Sequence, residues 1–153
     1  MSVELIRKLH SDIKPGDHPY LKGAWTPLHE EVNATEMKVL EGSIPKDLDG
    51  VYLRNTQNPL YQSFGRYHPF DGDGMIHMIG FRDGKATYRN RFVQTKGLSA
   101  EIEADKRLWA GLMEDPKLST RPGWGAHGSV KDASSTGVVV HAGKAITSYY
   151  QCG

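Results

Sequence analysis

The most constraining feature is an antiparallel hairpin written into residues 75–95. Met75 to Arg82 and Ala86 to Thr95 are rich in β-branched, aromatic and other apolar side chains, and they flank Asp83-Gly84. That dipeptide is a type I′ turn signal, because both central residues of the turn need positive φ. Gly137 to Ala142 and Lys144 to Tyr150 repeat the design around Gly143. Two further short strands are predicted, Met37 to Leu40 and Gly50 to Arg54, closed by Gly42 with Pro45 and by Asn55 with Pro59 respectively. A chain organised this way folds mostly as β-sheet.

Helix signals are confined to two places. Leu5, Ile6, Leu9 and Ile13 recur at helical spacing, with Pro15-Gly16 beyond them, which predicts a short N-terminal helix. Its apolar stripe packs on the body of the protein, or touches a membrane surface as a weaker alternative. Ser99 is placed to cap a second helix that Asp115-Pro116 ends, with Glu101 and Glu103 early and Lys106 and Arg107 late, as the helix dipole prefers. Residues 16–35 read as a wrapping segment whose Tyr20, Leu21, Trp25 and Leu28 require burial. This divides the chain into an N-terminal helix and wrap, 1–35, and a β region, 36–153.

Composition excludes several classes. The 153 residues carry a net charge of +1 without a basic stripe, which argues against nucleic acid as a partner. No apolar run is long enough to cross a membrane, and the N-terminus lacks a signal-peptide core. One cysteine, Cys152, excludes an internal disulfide framework and any cysteine zinc finger, and a reducing cytoplasm is the simplest setting. Asn33-Ala34-Thr35 fits the glycosylation pattern, but without a secretory signal it is expected to stay unmodified. The last strand pattern ends close to Gly153 with nothing to cover its edge, which suggests the front portion of a longer protein.

Local motifs are mostly structural. Gly123-Trp124-Gly125-Ala126-His127-Gly128 matches G-x-G-x-x-G, but Arg121-Pro122 precedes it where a strand is needed. No acidic residue follows about 20 positions on to hold a ribose. It reads as a glycine-rich loop, with a nucleotide-binding oxidoreductase as the remote alternative. Asp71-Gly72-Asp73-Gly74 fails as a calcium loop, since Ile76 falls where glycine is required and Arg82 where the bidentate Glu belongs. It reads as a tight turn leading into the Met75 strand. None of the seven histidines shows zinc-helix spacing, and His77 shares a strand face with Met75, Ile79 and Phe81, as a hydrogen-bonded histidine on an apolar face does. Cys152 has no local feature that would make it a nucleophile.

Three longer stretches carry a resemblance. They are Leu48-Asp49-Gly50-Val51-Tyr52-Leu53-Arg54-Asn55 leading to Asn58-Pro59, then Tyr67-His68-Pro69-Phe70-Asp71-Gly72-Asp73-Gly74-Met75-Ile76-His77 with the hairpin after it, and Val138-Val139-Val140-His141-Ala142-Gly143-Lys144. Together they resemble the N-terminal region of the carotenoid cleavage oxygenase family, over about residues 30–151. The resemblance implies the early blades of a seven-bladed β-propeller, with short N-terminal and inter-blade helices. It implies a non-haem Fe(II), held by four histidines on the propeller axis, that binds O2. Both oxygen atoms are added across an alkene of a carotenoid, apocarotenoid or stilbene to give two carbonyl products. None of the histidines here matches an iron ligand of that family. The metal site is expected downstream, and the segment alone is expected to be inactive.

The match has departures. Thr56-Gln57 stands where the family has Gly-Pro. Where the stilbene-cleaving branch binds the substrate phenol through a tyrosine and a lysine, this chain has Phe92 and Tyr149. These two are the candidate substrate-lining residues, and their chemistry favours an apolar polyene. The alternative from another class is a stand-alone, non-enzymatic β domain that binds an apolar ligand or a protein partner through its open edge.

Overall fold

A computed structural model describes residues 2–14, 16, 18–122 and 131–150. The glycine-rich stretch Gly123–Gly128 and Cys152 lie outside the described residues, so those two readings stay as expectations. Among the described residues, seven strands are arranged in two antiparallel sheets. The larger has the order β1-β2-β5-β4-β3, with β1 at Ser2–Lys8, β2 at Glu30–Thr35, β3 at Gly50–Asn58, β4 at Asp73–Arg82 and β5 at Lys85–Phe92. The smaller pairs β6, Gly137–His141, with β7, Lys144–Ser148. Helix α1 spans Lys96–Ala104.

Both hairpins form at the positions their turns specify. Asp83 and Gly84 have φ of 50° and 72°, and Ala142 and Gly143 have 48° and 75°, the doubly left-handed geometry of a type I′ turn. The first turn sets the register Met75↔Phe92, His77↔Asn90 and Ile79↔Tyr88. β3 runs further than Gly50 to Arg54 and continues the ladder to Asn58↔Asp73, which brings Asn58 beside the Asp71–Gly74 turn.

Four expectations are corrected. The first residues form strand β1, not a helix. Val3 and Ile6 are β-branched, and the backbone of this segment pairs with β2 from Ser2↔Thr35 to Lys8↔Glu30, reinforced by a 2.9 Å Lys8–Glu30 ion pair. The helical spacing of Leu5, Ile6, Leu9 and Ile13 comes from elsewhere: Leu5 and Ile6 are exposed, while Leu9 and Ile13 are buried beyond the strand. Met37 to Leu40 is not a strand, since the segment adds a single backbone bond, Met37 N–H to Ala86 O at 2.9 Å, and Leu40 is exposed. Of the four side chains expected to require burial in the wrapping segment, Leu21 is buried, whereas Tyr20, Trp25 and Leu28 stay exposed. Helix α1 is capped by Thr95, which accepts from Leu98 N–H at 3.0 Å, one turn ahead of Ser99. It ends at Asp105 in the left-handed region, ahead of Asp115-Pro116.

The core gathers Leu9, Leu60, Tyr61, Met75, Phe92 and Leu98, with Ile102 of α1 against it. Each large apolar side chain here contributes about 1.5–3 kcal/mol on burial. The β2–β5 pairing is short, Asn33↔Arg89 and Ala34↔Tyr88, and side chains extend it. Buried Asn90 donates to Glu30 O at 2.9 Å and accepts from Val32 N–H at 2.7 Å. Glu31 accepts from Phe92 N–H at 2.8 Å.

Candidate functional site

The Asp71–Gly74 turn is the focus of the structure's buried charge. Pro69–Asp71 is one 3-10 turn, fixed by a reciprocal cap: His68 Nδ1 accepts from Phe70 N–H at 3.2 Å, and Asp71 Oδ2 accepts from His68 N–H at 3.1 Å. Asp71 Oδ1 accepts from Leu112 N–H at 2.8 Å, which draws the 105–118 segment onto the turn. Arg107 Nη2 stands 3.9 Å from Asp71 Oδ2, with both side chains buried.

Asp73, two residues on, faces an ammonium. Lys131 Nζ lies 2.8 Å from Asp73 Oδ1 and 2.6 Å from Glu101 Oε2, and all three side chains are buried. Glu101 Oε1 accepts in turn from Leu108 N–H at 2.9 Å. Three carboxylates thus meet two cations. Burial pushes the Asp73 carboxyl up, opposed by the Lys131 charge. Burial would pull Lys131 down, but the Asp73 and Glu101 carboxylates outweigh it and hold the ammonium charged. A cavity of about 20 Å³, bordered by Asp71, Arg107, Lys131 and Tyr149, lies beside the cluster.

The two glycines of the turn stand where backbones approach closely. A Cβ on Gly72 would lie 2.7 Å from Asn58 N and 2.8 Å from Gln57 C, and one on Gly74 would strike the carbonyl oxygen of Ser134. Asn55, of β3, donates to Ser134 O at 2.8 Å and to Gly137 O at 3.1 Å, which ties the small sheet to the large one.

His77 is half-buried with both ring nitrogens engaged, Nε2 at 3.1 Å from Thr56 Oγ1 and Nδ1 at 2.7 Å from Tyr88 Oη. Burial, with Arg54 nearby, moves it below its ordinary value of 6.5. Among the described residues no group of three or more His, Cys, Asp or Glu side chains is placed to hold a metal ion. By themselves these residues do not fit an iron centre.

Phe92 and Tyr149 fall in different surroundings. Phe92 is packed in the core with Met75, Leu60 and Leu98. Tyr149 is buried at the small cavity, with its hydroxyl 3.5 Å from Phe70 O and its ring 4.9 Å from that of Tyr150. Sequence reasoning missed Glu101, Arg107 and Lys131 as members of the buried cluster. The only available signal was that two carboxylates in a buried turn need cationic partners.

Comparison with known proteins agrees with this architecture. The family model described as retinal pigment epithelial membrane protein matches residues 25–150. A carotenoid cleavage oxygenase of Mycobacterium tuberculosis is 38% identical over 131 residues, covering 84% of this chain and 23% of that protein. A carotenoid 9,10(9′,10′)-cleavage dioxygenase 1 of Arabidopsis thaliana is 39% identical over 97 residues, covering 63% of this chain and 18% of the relative. The crystal structure of Pseudomonas brassicacearum lignostilbene dioxygenase superposes with a TM-score of 0.72 at 24% identity, covering 88% of this chain and 27% of that one. The chain spans about a quarter or less of the length of the relatives it matches. Its mostly-β fold is that of part of their propeller, and the chain belongs to the retinal pigment epithelial membrane protein family of carotenoid and stilbene cleavage oxygenases.

Proposed function

We propose that this chain is the N-terminal part of an Fe(II)-dependent dioxygenase that splits one alkene bond of an apolar polyene into two carbonyl products, with O2 as co-substrate. The observation that carries this reading is the family match over residues 25–150, which contains the whole Asp71–Gly74 turn and both hairpins. In this reading the iron is held by histidines in sequence that the relatives have and this chain does not span. The chain's own residues build early blades, and Asp71, Gly72, Asp73 and Gly74 are structural. The 153 residues alone are inactive, and their setting is cytoplasmic, with peripheral membrane contact at most. Among the described residues no helix is long and apolar enough to cross a membrane.

Phe92 and Tyr149 are proposed to border the substrate path. A phenyl ring at Phe92 offers no hydrogen bond to a phenol, which supports a carotenoid or apocarotenoid over a stilbene. The test is a hybrid in which residues 25–150 replace the matching segment of the mycobacterial oxygenase. Supplied with Fe(II) and isotopically labelled O2, it is expected to place label in both carbonyl products of an apocarotenoid. A soluble, iron-loaded hybrid that cleaves neither polyene nor stilbene, beside an active parent enzyme, overturns the proposal.

A second reading, a non-enzymatic β domain that binds through its edge, is favoured by β3. This strand ends the large sheet and leaves Val51 and Tyr52 exposed. A cooperative, monomeric melt of the 153-residue chain supports that reading, and aggregation or a molten signal opposes it.

A further inference from the structure

Thr56, His77 and Tyr88 lie on the adjacent strands β3, β4 and β5 and form one directed hydrogen-bond chain. Thr56 Oγ1 has one proton and donates it to Met75 O at 3.2 Å, so towards His77 Nε2, at 3.1 Å, it accepts. Nε2 therefore carries the proton of the neutral ring. Nδ1 is left bare and accepts the phenol proton of Tyr88 at 2.7 Å. A hydroxyl, the base it donates to and a third group that orients the base form the arrangement that activates a side chain for reaction. The chain borders an open cavity of about 580 Å³, together with Trp25, Tyr52 and Arg54.

Simple proton transfer along this chain is uphill. Burial raises the Tyr88 phenol above its ordinary value of 10.0, and burial followed by the Arg54 charge lowers His77, so both groups are neutral at rest. Loss of an electron reverses the balance, because a phenol radical cation is a very strong acid. Its proton then passes to Nδ1, even though Arg54, directly opposite His77 on β3, makes the imidazolium less favourable. No partner is lost in the step. Nδ1–H donates back to the phenoxyl oxygen, and Nε2–H stays on Thr56. Both states use the same two bonds, so little reorganisation opposes the transfer.

We infer that Tyr88 is a site of one-electron oxidation that traps peroxyl radicals. The radical takes the electron from Tyr88 as the phenol O–H bond breaks and its proton goes to His77 Nδ1. The products are a neutral phenoxyl radical, an imidazolium and a peroxide anion that water protonates to the hydroperoxide. A one-electron reductant of the ascorbate class returns the electron, the proton returns from His77, and the phenol is restored. The cavity admits the radical to the Tyr88 ring. The inference goes beyond alkene cleavage and does not rest on it.

The test uses the full 153-residue chain. Peroxyl radicals from a water-soluble azo initiator are expected to modify Tyr88 ahead of Tyr52, although Tyr52 is 55% exposed and borders the same cavity. Peptide mapping by mass spectrometry reads this in the unaltered chain. Flash photolysis with tris(bipyridine)ruthenium and a cobalt(III) quencher is the kinetic arm. It is expected to give a phenoxyl signal in electron paramagnetic resonance whose formation slows in D2O, because the proton moves with the electron. His77→Gln keeps a hydrogen-bond acceptor but no base, and is expected to slow formation about 100-fold, as loss of a positioned base does. Tyr88→Phe is expected to remove the isotope-sensitive signal, and Tyr52→Phe to leave it. Circular dichroism checks that each variant is folded. Modification of Tyr52 ahead of Tyr88 overturns the inference. So does radical formation at the parent rate in folded His77→Gln, or an isotope-sensitive signal that survives in folded Tyr88→Phe. The mapping needs no variant, so a variant that fails to fold does not shield the inference.

Discussion

Lys131 reaches back 30 residues to Glu101 and closes a 2.6 Å ion pair in the interior, at the junction of helix α1 and the Asp71–Gly74 turn. The same ammonium contacts Asp73, so one side chain compensates two buried carboxylates. Removing it leaves both without their cation, and that desolvation is far more expensive than the pair is worth. Lys131→Met is therefore expected to lower unfolding free energy by about 3–5 kcal/mol. Lys131→Met with Glu101→Met is expected to lose less than the sum of the single variants, with a coupling on the order of 1–3 kcal/mol in urea melts. Additive losses would show that the two side chains do not act as a unit.

Backbone contact at the turn glycines gives a second expectation. Gly74→Ala forces its methyl into the Ser134 carbonyl, and Gly72→Ala forces one against Asn58 N and Gln57 C. Neither obstacle is a flexible side-chain end. Each variant is expected to lose about 1–3 kcal/mol, as overpacking typically does. Gly65→Ala, where a Cβ meets nothing within 4 Å, is expected to stay within about 0.5 kcal/mol. Equal midpoints for all three in a denaturant series would remove the close-approach argument.

Histidine burial sets a pH dependence. Burial and Arg54 hold His77 below 6.5 in the folded chain, and burial followed by the Lys8 charge does the same to His29. Between the lowered folded value and 6.5 the unfolded chain binds more protons, so stability rises with pH there. It is fully present above 6.5 and is lost as pH falls through that window. His77→Gln is expected to flatten part of the slope and leave the share of His29. Ring-proton NMR of the folded chain is expected to give His77 a midpoint below 6.5, and a midpoint at or above 6.5 contradicts this account.

What the residue order determined by itself was local and chiral. Asp83-Gly84 and the glycine at 143 demanded left-handed turns, and the alternation on either side supplied strands, so both hairpins were legible before any contact was known. The three longer stretches also carried the family and its propeller, which pattern alone does not yield. Tertiary structure decided the rest, because the deciding partners are distant in sequence. Leu5 and Ile6 read as part of a helix stripe until Glu30–Thr35 offered their backbone a ladder. Glu101 read as a helix-dipole charge until Lys131 and Leu108 N–H enclosed its carboxylate. Thr56, His77 and Tyr88 form one hydrogen-bond chain only because pairing sets β3, β4 and β5 side by side. Local sequence biases φ and ψ within a few residues, whereas burying a charge or completing a strand needs atoms that only the folded chain brings together.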